Sequence, residues 1–140
     1  MVKMRMMLVD DEERFLQTTR KLLAKHGHDV ITASSGEECL QKLTSELVHV
    51  VILDVKMPGM DGVATLKQIK QRHPLVEVIM LTGHATAESA VEGLKSGATD
   101  YLVKPADIET LTLKAQEAFN RRMELENKIQ LAEALKKSTI

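Results

Sequence analysis

Five short apolar runs, each followed by a segment of helical period, constrain this chain more than any other feature. The runs are Met4 to Val9, Asp29 to Ala33, Val48 to Leu53, Val76 to Leu81 and Tyr101 to Val103. Runs of this length bounded by turn residues read as strands buried on both faces. Between them, apolar residues recur at helical spacing, as in Phe15, Thr19, Leu22 and Leu23, then Leu40, Leu43 and Leu47, then Val63, Leu66 and Ile69, then Ala87, Ala90, Val91 and Leu94. Strand–helix alternation with short connections predicts an α/β doubly wound fold, a five-stranded parallel sheet covered on both faces. Right-handed crossovers narrow the topology, and the common order 2-1-3-4-5 is adopted rather than derived. It sets strands one and three side by side.

Local signals punctuate this pattern. Gly27 suits a left-handed position closing the first helix. Ser35 and Glu38 have the spacing of a capping box, in which each satisfies the other's backbone N–H. Asp61 is placed to cap the third helix, which His73-Pro74 stops. A last helix starts at Asp107 and runs well past Phe119, so the fold carries an extended C-terminal helix.

Composition excludes several classes. A length of 140 residues suits one core. The net charge of -1 gives no electrostatic reason to bind nucleic acid or an anionic membrane. No apolar stretch is long enough for a membrane span, and the N-terminus lacks the pattern of a signal peptide. Cys39 is the single cysteine, which fits a reducing cytoplasm, and is expected on a half-buried helix face. The eight Met read as core filler, and the five His have no metal-like spacing.

The chemistry lies where the runs end. One ends in Asp10-Asp11, another in Asp54, a third in Thr82 and a fourth in Lys104-Pro105. In a parallel sheet all four ends lie on one rim, where ligands bind. Carboxylates gathered there repel, by about 4 kcal/mol per pair at about 4 Å in an effective dielectric of about 20. Protons or a cation must compensate, and oxygen-only ligands suit Mg²⁺. Lys104 adds a second positive charge and Thr82 a hydroxyl donor, the parts that stabilise charge on a transferring phosphoryl group. Asp54, alone at the end of the central strand, is the natural nucleophile for an aspartyl phosphate.

These residues carry a resemblance. Asp10-Asp11, Asp54 with Met57-Pro58-Gly59-Met60-Asp61-Gly62, Thr82-Gly83 and Lys104-Pro105 resemble, in order and spacing, the receiver domain of two-component response regulators. The resemblance spans about Met4 to Asn120 and is greatest to receivers of sigma-54-dependent transcriptional activators. It implies a CheY-like (flavodoxin-like) fold, Mg²⁺ dependence, and phosphoryl transfer to Asp54 from a sensor histidine kinase. It implies that Asp11 and Asp54 ligate the metal directly, Asp10 through water, and Lys56 by its backbone carbonyl. Lys104 would pair with phosphoryl oxygens. Thr82 and Tyr101 would be the switch pair, Thr82 moving to the phosphate and Tyr101 into the vacated space. Lys56 and His84 would flank the phosphoryl group and tune its lifetime. Pro105 is expected to follow a cis peptide that aims Lys104.

The predicted protein is a phosphorylation switch, with self-catalysed acceptance and loss of a phosphoryl group rather than enzyme turnover. The surface expected to change is the fourth helix, fifth strand and last helix, a partner or homodimer face. Rival readings are a phosphorylation-independent interaction module, an excised fragment of a larger transcriptional regulator, and a haloacid-dehalogenase-type phosphatase. The last wants an acidic residue where Lys56 stands. Residues 1–120 are assigned to the receiver and 121–140 to a helical extension. From the last receiver helix into that extension, Leu111, Ala115, Ala118, Arg122, Leu125, Ile129, Ala132 and Lys136 keep a coiled-coil spacing. The sharper reading of the tail is a dimerising helix, and no membrane or direct nucleic-acid partner is expected.

Overall fold

A computed structural model describes residues 2–83 and 85–138. Five strands, β1 (Arg5–Val9), β2 (Asp29–Ala33), β3 (Val50–Leu53), β4 (Glu77–Thr82) and β5 (Asp100–Val103), alternate with five helices. The helices are α1 (Glu13–Lys25), α2 (Gly36–Leu43), α3 (Gly62–Arg72), α4 (Ala87–Lys95) and α5 (Ile108–Ser138). The sheet is parallel throughout, in the order β2-β1-β3-β4-β5. The expected doubly wound topology is therefore the observed one. Among the described residues no helix is long and apolar enough to cross a membrane.

The period of two along each strand divides the core into two layers. Met7, Val9, Val51, Leu53, Val78 and Met80 pack with Leu40, Leu43, Leu66 and Ile69 of α2 and α3. Met6, Leu8, Val50, Ile52, Ile79 and Leu81 pack with Leu16 and Leu23 of α1 and with Leu111, Ala115 and Ala118 of α5. All four β3 residues are buried, as a central strand between two layers requires.

Several local expectations are refined. The buried stripe of α1 is Leu16, Thr19 and Leu23, while Leu22 is exposed and Phe15 half-buried. Ser35 does accept from the Glu38 N–H, at 3.0 Å. Glu38 returns the bond to Ser34 rather than Ser35, at 2.8 Å, and so ties α2 to the end of β2. Cys39 is fully buried, because α2 lies flat on the sheet. Asp61 caps α3 through the Ala64 N–H at 2.8 Å, and Gly27 has φ +85°. The apolar stripe of α4 faces outward. Val91 and Leu94 are exposed, and Gly93 is the residue buried against the sheet.

Candidate functional site

Asp10 and Asp54 sit one step beyond β1 and β3, and the sheet itself places them. The Asp54 N–H donates to the Val9 carbonyl at 3.0 Å, and the Asp10 N–H to the Ala33 carbonyl at 3.2 Å. Neighbouring strand ends thus hold both acids in register. Both are buried, whereas Asp11 is exposed on the next residue. One carboxylate oxygen from each of Asp10, Asp11 and Asp54 lies within 4.8 Å of the others. A cleft of about 430 Å³ lined by Asp11, Glu12, Asp54, Lys56, Met57 and Pro58 opens beside them.

Lys104 reaches this cluster from the far side of the sheet. Its N–H donates to the Thr82 carbonyl at 2.9 Å, which joins the ends of β4 and β5. The Lys104–Pro105 peptide is cis, as expected. The Lys104 ammonium lies 2.6 Å from Asp10 Oδ2 and 4.0 Å from Asp54 Oδ2. Residues 10, 54 and 104 therefore meet, although they come from three strands.

Two further side chains complete the ammonium's surroundings. Glu12 Oε1 lies 3.8 Å from Lys104 Nζ, and the Phe15 ring centroid lies 4.0 Å from it. Neither was singled out for the site from sequence. Phe15 reads there as a core position of α1, and only the fold shows the Lys104 side chain reaching across the rim to the first turn of that helix. The usable signal was its position one helical turn after Asp11.

Electrostatics at the rim are unbalanced. Burial pushes the Asp10 carboxyl above its ordinary 3.8, and the Asp54 charge adds to this, while the Lys104 ammonium and the Glu12 N–H pull it back. The hydrogen bond from Glu12 N–H to Asp10 Oδ1 is 2.9 Å. Asp10 thus has an ordinary turn-forming role as well as its place in the cluster. Three clustered carboxylates, two of them beside one ammonium, are a donor set suited to a hard divalent cation, with Asp11 open to solvent on one side.

The loop after β3 is shaped to this geometry. A Cβ at Gly62 would stand 2.1 Å from the Asp54 carbonyl oxygen, so only glycine lets α3 start that close. The Gly62 N–H donates to the Val55 carbonyl at 2.7 Å and closes the loop. Lys56 lies within it, its N–H 3.5 Å from Asp54 Oδ1. Thr82 is fully buried at the end of β4. Tyr101 pairs in register with Met80, two residues before Thr82 and on the same face. Its hydroxyl lies 2.8 Å from Ser89 Oγ of α4. The position of His84 lies outside the described residues.

Sheet order, strand-end acids and an ammonium at one rim define a receiver-type α/β domain. Comparison with known proteins agrees: residues 6–116 match the response regulator receiver domain family, and the chain belongs to it. The chain is 40% identical over 117 residues to the DNA-binding transcriptional regulator NtrC of Escherichia coli strain K12, an alignment covering 84% of this chain and 25% of that protein. It spans about a quarter of the length of such relatives. A receiver domain structure from Clostridium thermocellum is similar with TM-score 0.83 and 38% identity, covering 87% of this chain and 98% of the other. The beryllofluoride-activated NtrC4 receiver domain dimer gives 0.79 and 35%, covering 84% and 98%. The expected likeness to receivers of sigma-54-dependent activators holds.

Proposed function

We propose that this domain accepts a phosphoryl group on Asp54 from the phosphohistidine of a sensor histidine kinase, and that the modified domain controls a partner or output domain. One observation carries the reading: the carboxylate oxygens of Asp10, Asp11 and Asp54 lie within 4.8 Å of one another, with Lys104 Nζ 2.6 Å from Asp10. Asp10, Asp11, Asp54 and the Lys56 carbonyl would hold Mg²⁺. When bound it supplies positive charge to oxygens of the transferring group.

The chain's own residues do the rest. An Asp54 carboxylate oxygen forms the new bond to phosphorus as the donor's N–P bond breaks, and the imidazole leaves with a proton. Lys104 neutralises a phosphoryl oxygen, and exchanges a carboxylate partner for it. The added charge, about -1.5 to -2, draws the Thr82 hydroxyl toward the group. Tyr101 follows on the same sheet face. Water attack at phosphorus later restores the Asp54 carboxylate, with Lys56 and His84 setting its access. The chemistry is self-modification rather than turnover of a separate substrate.

The similar NtrC4 receiver is a dimer when activated by beryllofluoride, which favours a homodimer as the switched state here, through α4, β5 and α5 or through the α5 extension. The NtrC relative is a DNA-binding transcriptional regulator, which supports a transcriptional output. Such an output would place the domain in the cytoplasm. A net charge of -1 gives the chain by itself no electrostatic drive toward DNA.

Incubation with Mg²⁺ and acetyl phosphate, followed by mass spectrometry, tests this. Wild type should gain one phosphoryl group, and Asp54→Asn should gain none. Labelling of Asp54→Asn to the wild-type extent, or an unlabelled wild type, would reject the proposal.

A further inference from the structure

α4 has the weakest apolar anchorage of the helices. Of its residues Gly93 alone is buried, whereas α1 buries Leu16, Thr19 and Leu23, and α3 buries Val63, Leu66 and Ile69. Val91 and Leu94 of α4 are 52% and 51% exposed. A cleft of about 350 Å³ lined by Val55, Ala64, Lys67, Ser89 and Glu92 separates α4 from α3. Polar contacts therefore carry a large share of what positions this helix.

Apart from the exposed Lys67–Glu92 ion pair at 3.5 Å, those contacts converge on one hydroxyl. Thr86 and Ser89 form a reciprocal capping box at the start of α4. The Ser89 N–H donates to Thr86 Oγ1 at 3.0 Å, and the Thr86 N–H donates to Ser89 Oγ at 3.2 Å. Ser89 Oγ donates to the Thr86 carbonyl at 3.1 Å. A serine hydroxyl has one proton and two lone pairs, so one lone pair remains. The Tyr101 hydroxyl at 2.8 Å and the Thr86 hydroxyl at 3.0 Å both reach it, and Tyr101 is the closer. With that assignment Tyr101 donates and every capacity of Ser89 is used.

The same tyrosine carries the next turn of the helix. A Cβ at Gly93 would stand 3.7 Å from the Tyr101 ring and 2.7 Å from Met80 Sδ, so α4 rests directly on both. Met80 lies beside Tyr101 in register, with Thr82 next on that face. A continuous track thus runs from the α4 cap through Tyr101 to Thr82.

We infer that Ser89 is a positioning residue that latches the switch: by hydrogen-bonding the Tyr101 hydroxyl while closing the α4 cap, it holds helix and tyrosine in the phosphoryl-free arrangement. This rests on the receiver reading above, in which Thr82 and Tyr101 rearrange together. A bond present in one state and broken in the other stabilises the first and opposes any ligand that selects the second. Ser89 thereby sets how much of the unmodified protein is already switched, without touching the phosphoryl group.

The chain has one tyrosine and no tryptophan, so its intrinsic emission reports Tyr101 alone. Wild type, Ser89→Ala, Ser89→Thr, Tyr101→Phe and the Ser89→Ala/Tyr101→Phe pair are titrated with beryllofluoride in Mg²⁺. The bound adduct is followed by ¹⁹F resonance in all five and by Tyr101 emission where the tyrosine remains. Ser89→Ala should lower the midpoint about threefold to tenfold, the effect of one hydrogen bond lost from one of two states. Ser89→Thr, which keeps a hydroxyl, should stay within about twofold of wild type. In the Tyr101→Phe background Ser89→Ala should shift the midpoint by less than about twofold. An unchanged midpoint in Ser89→Ala, or a shift of equal size without the tyrosine hydroxyl, overturns the latch. Absence of any wild-type adduct would instead overturn the receiver reading, and the latch with it.

Discussion

Gly62 shows how much of the site depends on a residue with no chemistry of its own. Its Cα faces the Asp54 carbonyl, and an added Cβ would also stand 2.6 Å from Val55 Cα. Both obstacles are backbone, so neither can swing aside as a long side chain would. Gly62→Ala should cost about 3 kcal/mol in urea unfolding. It should also slow labelling by acetyl phosphate, because Asp54 must move with its own carbonyl. Wild-type stability and labelling in this variant would show that the loop yields freely. At this scale the sequence was informative where side-chain type and strand end coincide. Asp10, Asp11, Asp54 and Lys104 each follow an apolar run, and a parallel sheet brings such ends to one rim. Glu12 and Phe15 escaped because their part in the site depends on the Lys104 side chain reaching across the rim to α1, which no spacing within α1 encodes. Glu38 pairing with Ser34 escaped for a similar reason: two adjacent amides lie within reach of one carboxylate.

Elements were legible in type and order because periods of two and of three to four differ plainly over these lengths. Which face a helix buries was less legible where the stripe is short. The stripe Ala87, Ala90, Val91 and Leu94 predicts a buried face, yet the sheet meets α4 at Gly93 because Tyr101 and Met80 already fill that space. α5 makes the opposite case. One stripe serves two purposes along its length: Leu111, Ala115, Ala118 and Arg122 are buried against the domain, while Leu125 and Ile129 are 42% and 40% exposed. Arg122, which weakens a coiled-coil seam, instead donates to the Val48 carbonyl at 2.6 Å and to Glu126 at 2.8 Å. The helix continues without a break across the expected boundary at residue 120. Residues 127–138 are exposed and bury nothing in the domain. Removing residues 127–140 should therefore change unfolding free energy by less than about 0.5 kcal/mol. It should weaken self-association in sedimentation if that segment is the dimer seam. Unaltered association would assign the contact to α4, β5 and the first half of α5.

The molecule as a whole separates chemistry from anchorage between two rims. Strand carboxyl ends carry the acids and Lys104, whereas strand amino ends carry a buried polar junction around His49. The His49 N–H donates to the Arg5 carbonyl at 2.9 Å, and the Arg5 N–H donates back to His49 Nδ1 at 3.0 Å. The imidazole also stands edge-on to Phe119 of α5, with ring centroids 5.0 Å apart. Protonating Nδ1 would remove the acceptor for Arg5 and place a charge where burial leaves little solvent. Burial accordingly lowers the His49 pKa below 6.5, with the Arg122 charge adding and Glu126 opposing. His28 is lowered too, by burial and by His26 and Lys3. The sign follows from linkage. As pH falls through 6.5 the unfolded chain takes up the proton first, so stability drops, and it levels only below the depressed folded value. Asp10 has the opposite sign: with its folded value raised, the native state takes up the proton first, so its contribution grows as pH falls toward 3.8 and levels off below it. The two effects separate in a difference curve. His49→Gln keeps an acceptor for the Arg5 amide but cannot titrate. Between about pH 7.5 and about pH 5 its urea midpoint should fall less steeply than that of wild type, the remaining slope belonging to His28 and other groups. Parallel curves would mean that the folded rim accommodates the imidazolium, and that the rim of strand amino ends is not the acid-sensitive end of the fold.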